Sequence, residues 1–84
     1  MKASRIVPIV HRLEAMIEDK TDNLQVRSFE VDGVERAQVT YDHDRKVFIL
    51  NDLTIDIDEI EFDNIDYLAM EILELTQPVL RTED

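Results

Sequence analysis

Apolar residues recur with two different periods along this chain, and the changes of period divide it into elements. Ile6, Ile9, Val10, Leu13, Met16 and Ile17 are separated by steps of three and four, which puts them on one stripe of an amphipathic helix. Ser4 is the expected cap. Pro8 then lies in the first turn, where its missing N–H is not needed. The helix should fade near Lys20-Thr21-Asp22-Asn23.

The period then shortens to two. Phe29 and Val31 alternate with polar residues, and so do Ala37, Val39 and Tyr41, the pattern of two half-buried strands. Asp32-Gly33 between them is a hairpin signal. A two-residue loop would pair Phe29 with Arg36 and put Phe29 and Ala37 on opposite faces. A three-residue loop, Val31-Asp32-Gly33, would pair Phe29 with Glu35 and keep the apolar odd positions together, with Gly33 at the left-handed position of a bulge. The second register is expected, with Ser28, Glu30, Arg36, Gln38 and Thr40 on a solvated face. After the polar turn Asp42–Arg45, Phe48 and Leu50 continue one alternation while Leu53, Ile55 and Ile57 continue it in the opposite parity. A phase change of one needs a bulge or a turn at Asn51-Asp52. One long bulged strand is the favoured reading, with a short fourth strand at 53–57 as the alternative.

The helical period returns after Phe62. Ile65, Leu68, Ala69, Ile72, Leu73 and Leu75 fill an arc of about 160° at 100° per residue. Asp63 is the expected cap with Asp66 at the third helical position, and Pro78 closes the element. Tyr67 and Met70 fall on the far side of this helix, outside its core arc.

Composition narrows what such a chain does. At 84 residues it is expected to be a single domain, 1–84. It has no cysteine, so thiolate chemistry and disulfides are excluded, and a reducing interior is favoured. His11 and Arg12 interrupt any N-terminal apolar run, and no segment is long enough to span a bilayer. The expected location is cytoplasmic, with no membrane partner. Net charge is −11, and it is uneven: residues 1–50 hold eight Lys/Arg against nine Asp/Glu, whereas residues 51–84 hold Arg81 alone against eleven acids. Such a surface repels phosphate backbones, so no direct nucleic-acid binding is expected. The acidic half serves solubility, or meets a basic protein partner.

Laid out in this way, the chain resembles the YkuJ-like family of small uncharacterised proteins from Gram-positive bacteria. The resemblance runs through FEVDG at 29–33, Val39-Thr40-Tyr41, Phe48, and FDNID at 62–66 followed by MEILELTQ at 70–77. It implies an α+β fold of order α-β-β-β-α, with two helices packed on one face of a three-stranded antiparallel meander, in agreement with the periods. It implies no activity and no catalytic residues.

No catalytic set emerges from the residues either. One glycine cannot form a phosphate-cradling loop. His11 and His43 are expected to be solvent-exposed imidazoles, and neither has a serine suitably placed for a triad. Asp52, Thr54, Asp56 and Asp58 would share one face of an extended strand and could hold a divalent cation, but both EF-hand registers fail. The simpler reading is a solvated strand face. Asp63 and Asp66 read as capping residues rather than as a paired acid and base. No cofactor, no metal site and no catalytic residue is assigned.

What remains is surplus apolar surface. Val47-Phe48-Ile49-Leu50 is apolar on both faces of what would be an edge strand, which invites pairing with another chain. Tyr67 and Met70 suit a packed contact. Val47, Ile49, Tyr67 and Met70 are therefore the candidate interaction residues. The expected function is a non-catalytic, homodimeric protein-interaction module. The alternatives are an acidic mimic or regulator that binds a basic protein surface, and a divalent-cation-binding module.

Overall fold

The computed structural model describes residues 5–55 and 57–77. The element order is α1 (Ile6–Glu18), β1 (Leu24–Val31), β2 (Val34–Asp42), β3 (Val47–Asp52), β4 (Ile57–Phe62) and α2 (Ile65–Leu75). The four strands form one antiparallel sheet in sequential order. The fold is thus α+β, with the meander extended by a fourth strand.

One face of the sheet carries the core. Phe29, Ala37, Val39, Tyr41, Phe48 and Leu50 are buried there, against Ile9, Leu13 and Met16 of α1 and Leu68, Ala69 and Ile72 of α2. Both helices cover this face because each presents one apolar stripe and the strands present alternate residues to it. Arginines fasten the layers together. Arg12 of α1 lies over the Phe29 ring at 4.1 Å and donates to the Ser28 carbonyl at 2.9 Å. Arg27 of β1 reaches Asp19, which follows α1, at 3.7 Å and donates to the Val26 carbonyl at 2.8 Å. Two carbonyls of edge strand β1 are thereby occupied by guanidinium groups, which blunts that edge against pairing with another chain. At the far end of α2, Arg5 donates to the Thr76 carbonyl at 2.9 Å.

The hairpin differs from the expected register. Asp32 and Gly33 alone form the loop, both with positive φ (53° and 80°), the signature of a two-residue turn that follows the twist of the strands. The parity conflict is resolved one step later. Glu30 pairs with Glu35 and Phe29 with Ala37, so Arg36 is the extra residue of a bulge. The bulge keeps Phe29 and Ala37 on the core face. Gly33 takes a left-handed conformation as expected, but within the turn.

The long bulged strand is also not what forms. The chain turns after Asp52, and β4 occupies Ile57–Phe62 rather than 53–57. Asp52 makes the turn: its buried carboxylate accepts from the Thr54 N–H at 2.9 Å and from the Thr54 hydroxyl. This local bonding competes with strand continuation. β3 is therefore an interior strand, and the reasoning that treated it as an open edge does not hold. β4 carries its own irregularity: Glu59 has φ 58° and donates its N–H to the Asn51 side chain at 2.9 Å.

The helix ends show two further differences. Asn64, not Asp63, caps α2, its Oδ1 accepting from the Asp66 N–H at 2.8 Å and the Tyr67 N–H at 3.2 Å. Asp66 is the second helical residue. Helix α1 begins after Arg5, with Pro8 in its first turn; the Ser4 cap lies outside the described residues, as does Pro78.

Candidate functional site

Among the described residues, the sheet is covered on one face only, by the two helices. On the other face the strand register aligns Val26, Thr40, Ile49 and Glu61 in one row, Leu24, Asp42 and Val47 in the next, and Ser28, Gln38 and Asn51 in a third. Leu24 is 52 % exposed and Val26 46 %, while Val47 and Ile49 are half-buried. The structure thus gathers two of the expected interaction residues, Val47 and Ile49, with two that the alternation had not singled out. Leu24 and Val26 have the parity opposite to Phe29, and that parity was the available signal. The rows hold two charged side chains: Asp42, between Leu24 and Val47, and Glu61, beside Ile49 at the β4 end. Glu61 is paired with Arg45 at 2.7 Å, and this bond raises the Arg45 pKa above its ordinary value. Asp42 accepts from the Asp44 and Arg45 backbone N–H groups.

Tyr67 and Met70 stand elsewhere. They project from α2 away from the core, 67 % and 58 % exposed. Asp63, Asp66 and Glu74 are exposed along the same stripe, with Glu71 half-buried beside them. The two candidate pairs therefore lie on opposite sides of the molecule: Val47 and Ile49 on the open face of the sheet among aliphatic side chains, Tyr67 and Met70 on the outer helix layer among carboxylates.

A cleft of about 480 Å³ opens where α1 ends, lined by Ile17, Lys20, Asp22, Asn23, Tyr41, His43 and Lys46. His43 is not the exposed imidazole expected. It is half-buried, with its ring edge-on to Tyr41 (centroids 4.8 Å apart, planes at 88°), and its Nε2 is enclosed without a partner among the described residues. That geometry is aromatic packing. His11 is exposed on α1. Asp19 has its pKa lowered, first by the Thr21 hydroxyl donating at 2.7 Å, then by the Thr21 N–H, with smaller contributions from the Arg27 and His43 charges.

The carboxylate ladder at 52–58 does not form as one face. Asp52 is buried in its turn, Thr54 sits in the turn, and Asp56 lies outside the described residues. Among the described residues no group of three His, Asp or Glu side chains converges as metal ligands would. Asp63 and Asp66 flank the Asn64 cap, both exposed to solvent. Among the described residues no helix is long and apolar enough to cross a membrane.

Comparison with known proteins agrees with this fold. Residues 9–76 match the family described as "Protein of unknown function (DUF1797)". The x-ray structure of the YkuJ protein from Bacillus subtilis superposes with a TM-score of 0.79 at 30 % identity, covering 89 % of this chain and 100 % of that one. No curated protein matches.

Proposed function

Because the chain belongs to the DUF1797 family, whose description assigns no function, we propose its role from its surfaces: a non-catalytic protein-interaction module that pairs with a second copy of itself through the open face of its sheet. The carrying observation is the cluster of aliphatic side chains on that face, Leu24, Val26, Val47 and Ile49, where Glu61 is already paired with Arg45 and Asp42 is bonded to the backbone of its own turn. Two copies at −11 each repel one another, so a two-fold contact is favoured where unpaired carboxylates are fewest. The rows through Leu24, Val26, Val47 and Ile49 offer that place, and pairing there would remove exposed aliphatic surface from water. The outer face of α2 does not, since a two-fold contact there would set Asp66 and Glu74 against their own copies.

The test is light scattering behind size exclusion over a hundredfold range of concentration, on the wild type and on Val26→Glu. Val26 is already exposed, so the variant keeps its fold, verified by circular dichroism, while a like-charge pair enters the contact. A wild-type dimer that becomes monomeric in Val26→Glu supports the reading. A wild type that is monomeric throughout, or a dimer indifferent to the substitution, overturns it.

A further inference from the structure

The outer stripe of α2 repeats at helical spacing: Asp66 with Tyr67, Met70 with Glu71, then Glu74, and Asp63 stands just before the cap. From Asp66 to Glu74 it spans about 12 Å, the length of eight residue steps at 1.5 Å each. Its centre is an exposed ring beside an exposed thioether, and carboxylates lie at both ends. Carboxylates alone would be a solvated helix face. Large apolar groups alone would suit another copy or any apolar surface. The combination is more selective, since it repels acidic partners, including a second copy, and leaves its apolar centre unsatisfied in water.

Among the described residues no cation forms an ion pair with Asp66, Glu71 or Glu74, and five arginines are engaged elsewhere. Arg5, Arg12, Arg27 and Arg45 are bound to the Thr76 carbonyl, the Ser28 carbonyl, Asp19 and Glu61 respectively. Arg36 reaches the Leu75 carbonyl at 3.5 Å, at the end of α2 beyond the stripe. The carboxylates beside Tyr67 and Met70 are thus left without an ion-pair partner among the described residues.

We infer that this face of α2 binds an arginine-bearing amphipathic helical segment of another protein. A helix laid along α2 presents its own stripe to Met70, whose flexible side chain adapts to leucine or isoleucine. Its arginines reach the carboxylates at either end in bidentate geometry and lie over the Tyr67 ring. An extended lysine-rich segment would satisfy the charges but leave Met70 and the ring poorly covered. The inference rests on the reading of this chain as an interaction module, but not on its self-association, because the two contacts use opposite sides of the molecule.

The probe is a fluorescein-labelled synthetic peptide whose helical form has a leucine stripe flanked by arginines, titrated with the full chain by fluorescence anisotropy. A second peptide has the same composition in an order that destroys the stripe. Binding of the first, at least about tenfold tighter than the second, is expected, with a loss of about tenfold or more in Tyr67→Ala/Met70→Ala, a change that leaves net charge untouched. Asp66→Asn/Glu74→Gln should weaken binding, whereas Glu18→Gln/Glu30→Gln, which removes the same charge elsewhere, should not. Equal binding of both peptides, or equal weakening by both charge pairs, means unspecific attraction to an acidic protein and overturns the inference. Circular dichroism confirms that each variant is folded. The Val26→Glu chain should bind the first peptide as the wild type does. A dimer that ignores the peptide overturns this inference and leaves self-association standing, and a monomer that binds it does the reverse.

Discussion

Asp19 receives two hydrogen bonds from a single residue, the hydroxyl and the N–H of Thr21, in the segment that leads from α1 to β1. Both favour the carboxylate over the acid, so its folded-state pKa lies below the ordinary 3.8. A depressed folded value means that this contribution to stability is fully present above about pH 4, the unfolded pKa, and is lost as pH falls through the folded one. Carbon-detected NMR should therefore show Asp19 titrating below 3.8. In Thr21→Val the midpoint should move back up, since the larger of the two causes has been removed. A midpoint unchanged by that substitution would show that Arg27 or the remaining N–H carries the shift. None of this was legible in the sequence, where Asp19 is one acid among twenty. What gives it a role is the chain reversal that brings Thr21 over its oxygen.

The ends and turns of the elements differ from the sequence reading while their bodies agree with it, and the difference has one physical origin. A period is a property of many residues, so the stripes of α1 and α2 and the alternation of β2 survive local irregularity. A cap or a bulge is decided by one side chain. Asp63 and Asn64 are equally good cap residues by type, and the sequence offered no means of ranking them. In the structure Asn64 is extended (φ −130°, ψ 120°) and accepts from two helical N–H groups, while Asp63 lies one residue too early. Asn64→Ala should therefore destabilise the chain by about 1 kcal/mol in urea unfolding, and Asp63→Ala by a few tenths at most. Equal losses would show that the acid acts through the helix dipole as strongly as the amide acts as a cap. The hairpin follows the same logic. Parity correctly required Phe29 and Ala37 on one face, but an extra residue in the loop and an extra residue at Arg36 both satisfy parity, and only the second occurs. At Asn51-Asp52 the phase change was visible. Its resolution as a turn was not, because it depends on the Asp52 carboxylate bonding Thr54 rather than on hydrophobicity. As for the interaction residues, Tyr67 and Met70 could be placed outside the helix arc from angles alone. Val47 and Ile49 were singled out for an edge that β4 occupies, yet they lie on the open face, and Leu24 and Val26 join them there through the register.

The chain as a whole is electrically lopsided, and this separates its two proposed contacts more cleanly than any single substitution. Acids crowd the chain from Asp52 onward, with no Lys or Arg before Arg81. Arg5, Arg12, Arg27 and Arg45 sit earlier and are bonded to backbone carbonyls and carboxylates. Pairing of two such chains through the aliphatic side chains of the open sheet face proceeds against long-range repulsion. Binding of an arginine-bearing helix along α2 proceeds with long-range attraction. Salt screens both, since the Debye length falls from about 30 Å near 10 mM to about 8 Å near 150 mM. Raising the salt between those limits should tighten the dimer and weaken the peptide complex, so that the two affinities cross in opposite directions within one titration series. Sedimentation equilibrium reads the first and anisotropy the second on the same preparation. If self-association also weakens as salt rises, charge pairs rather than the aliphatic side chains of the sheet face must hold the copies together, and the contact would have to join the acidic half of one chain to the arginine-rich β1 side of the next. Such a head-to-tail contact does not close on itself after two copies. It would then be recognised by masses that continue past the dimer with increasing concentration, whereas the sheet-face contact stops at two.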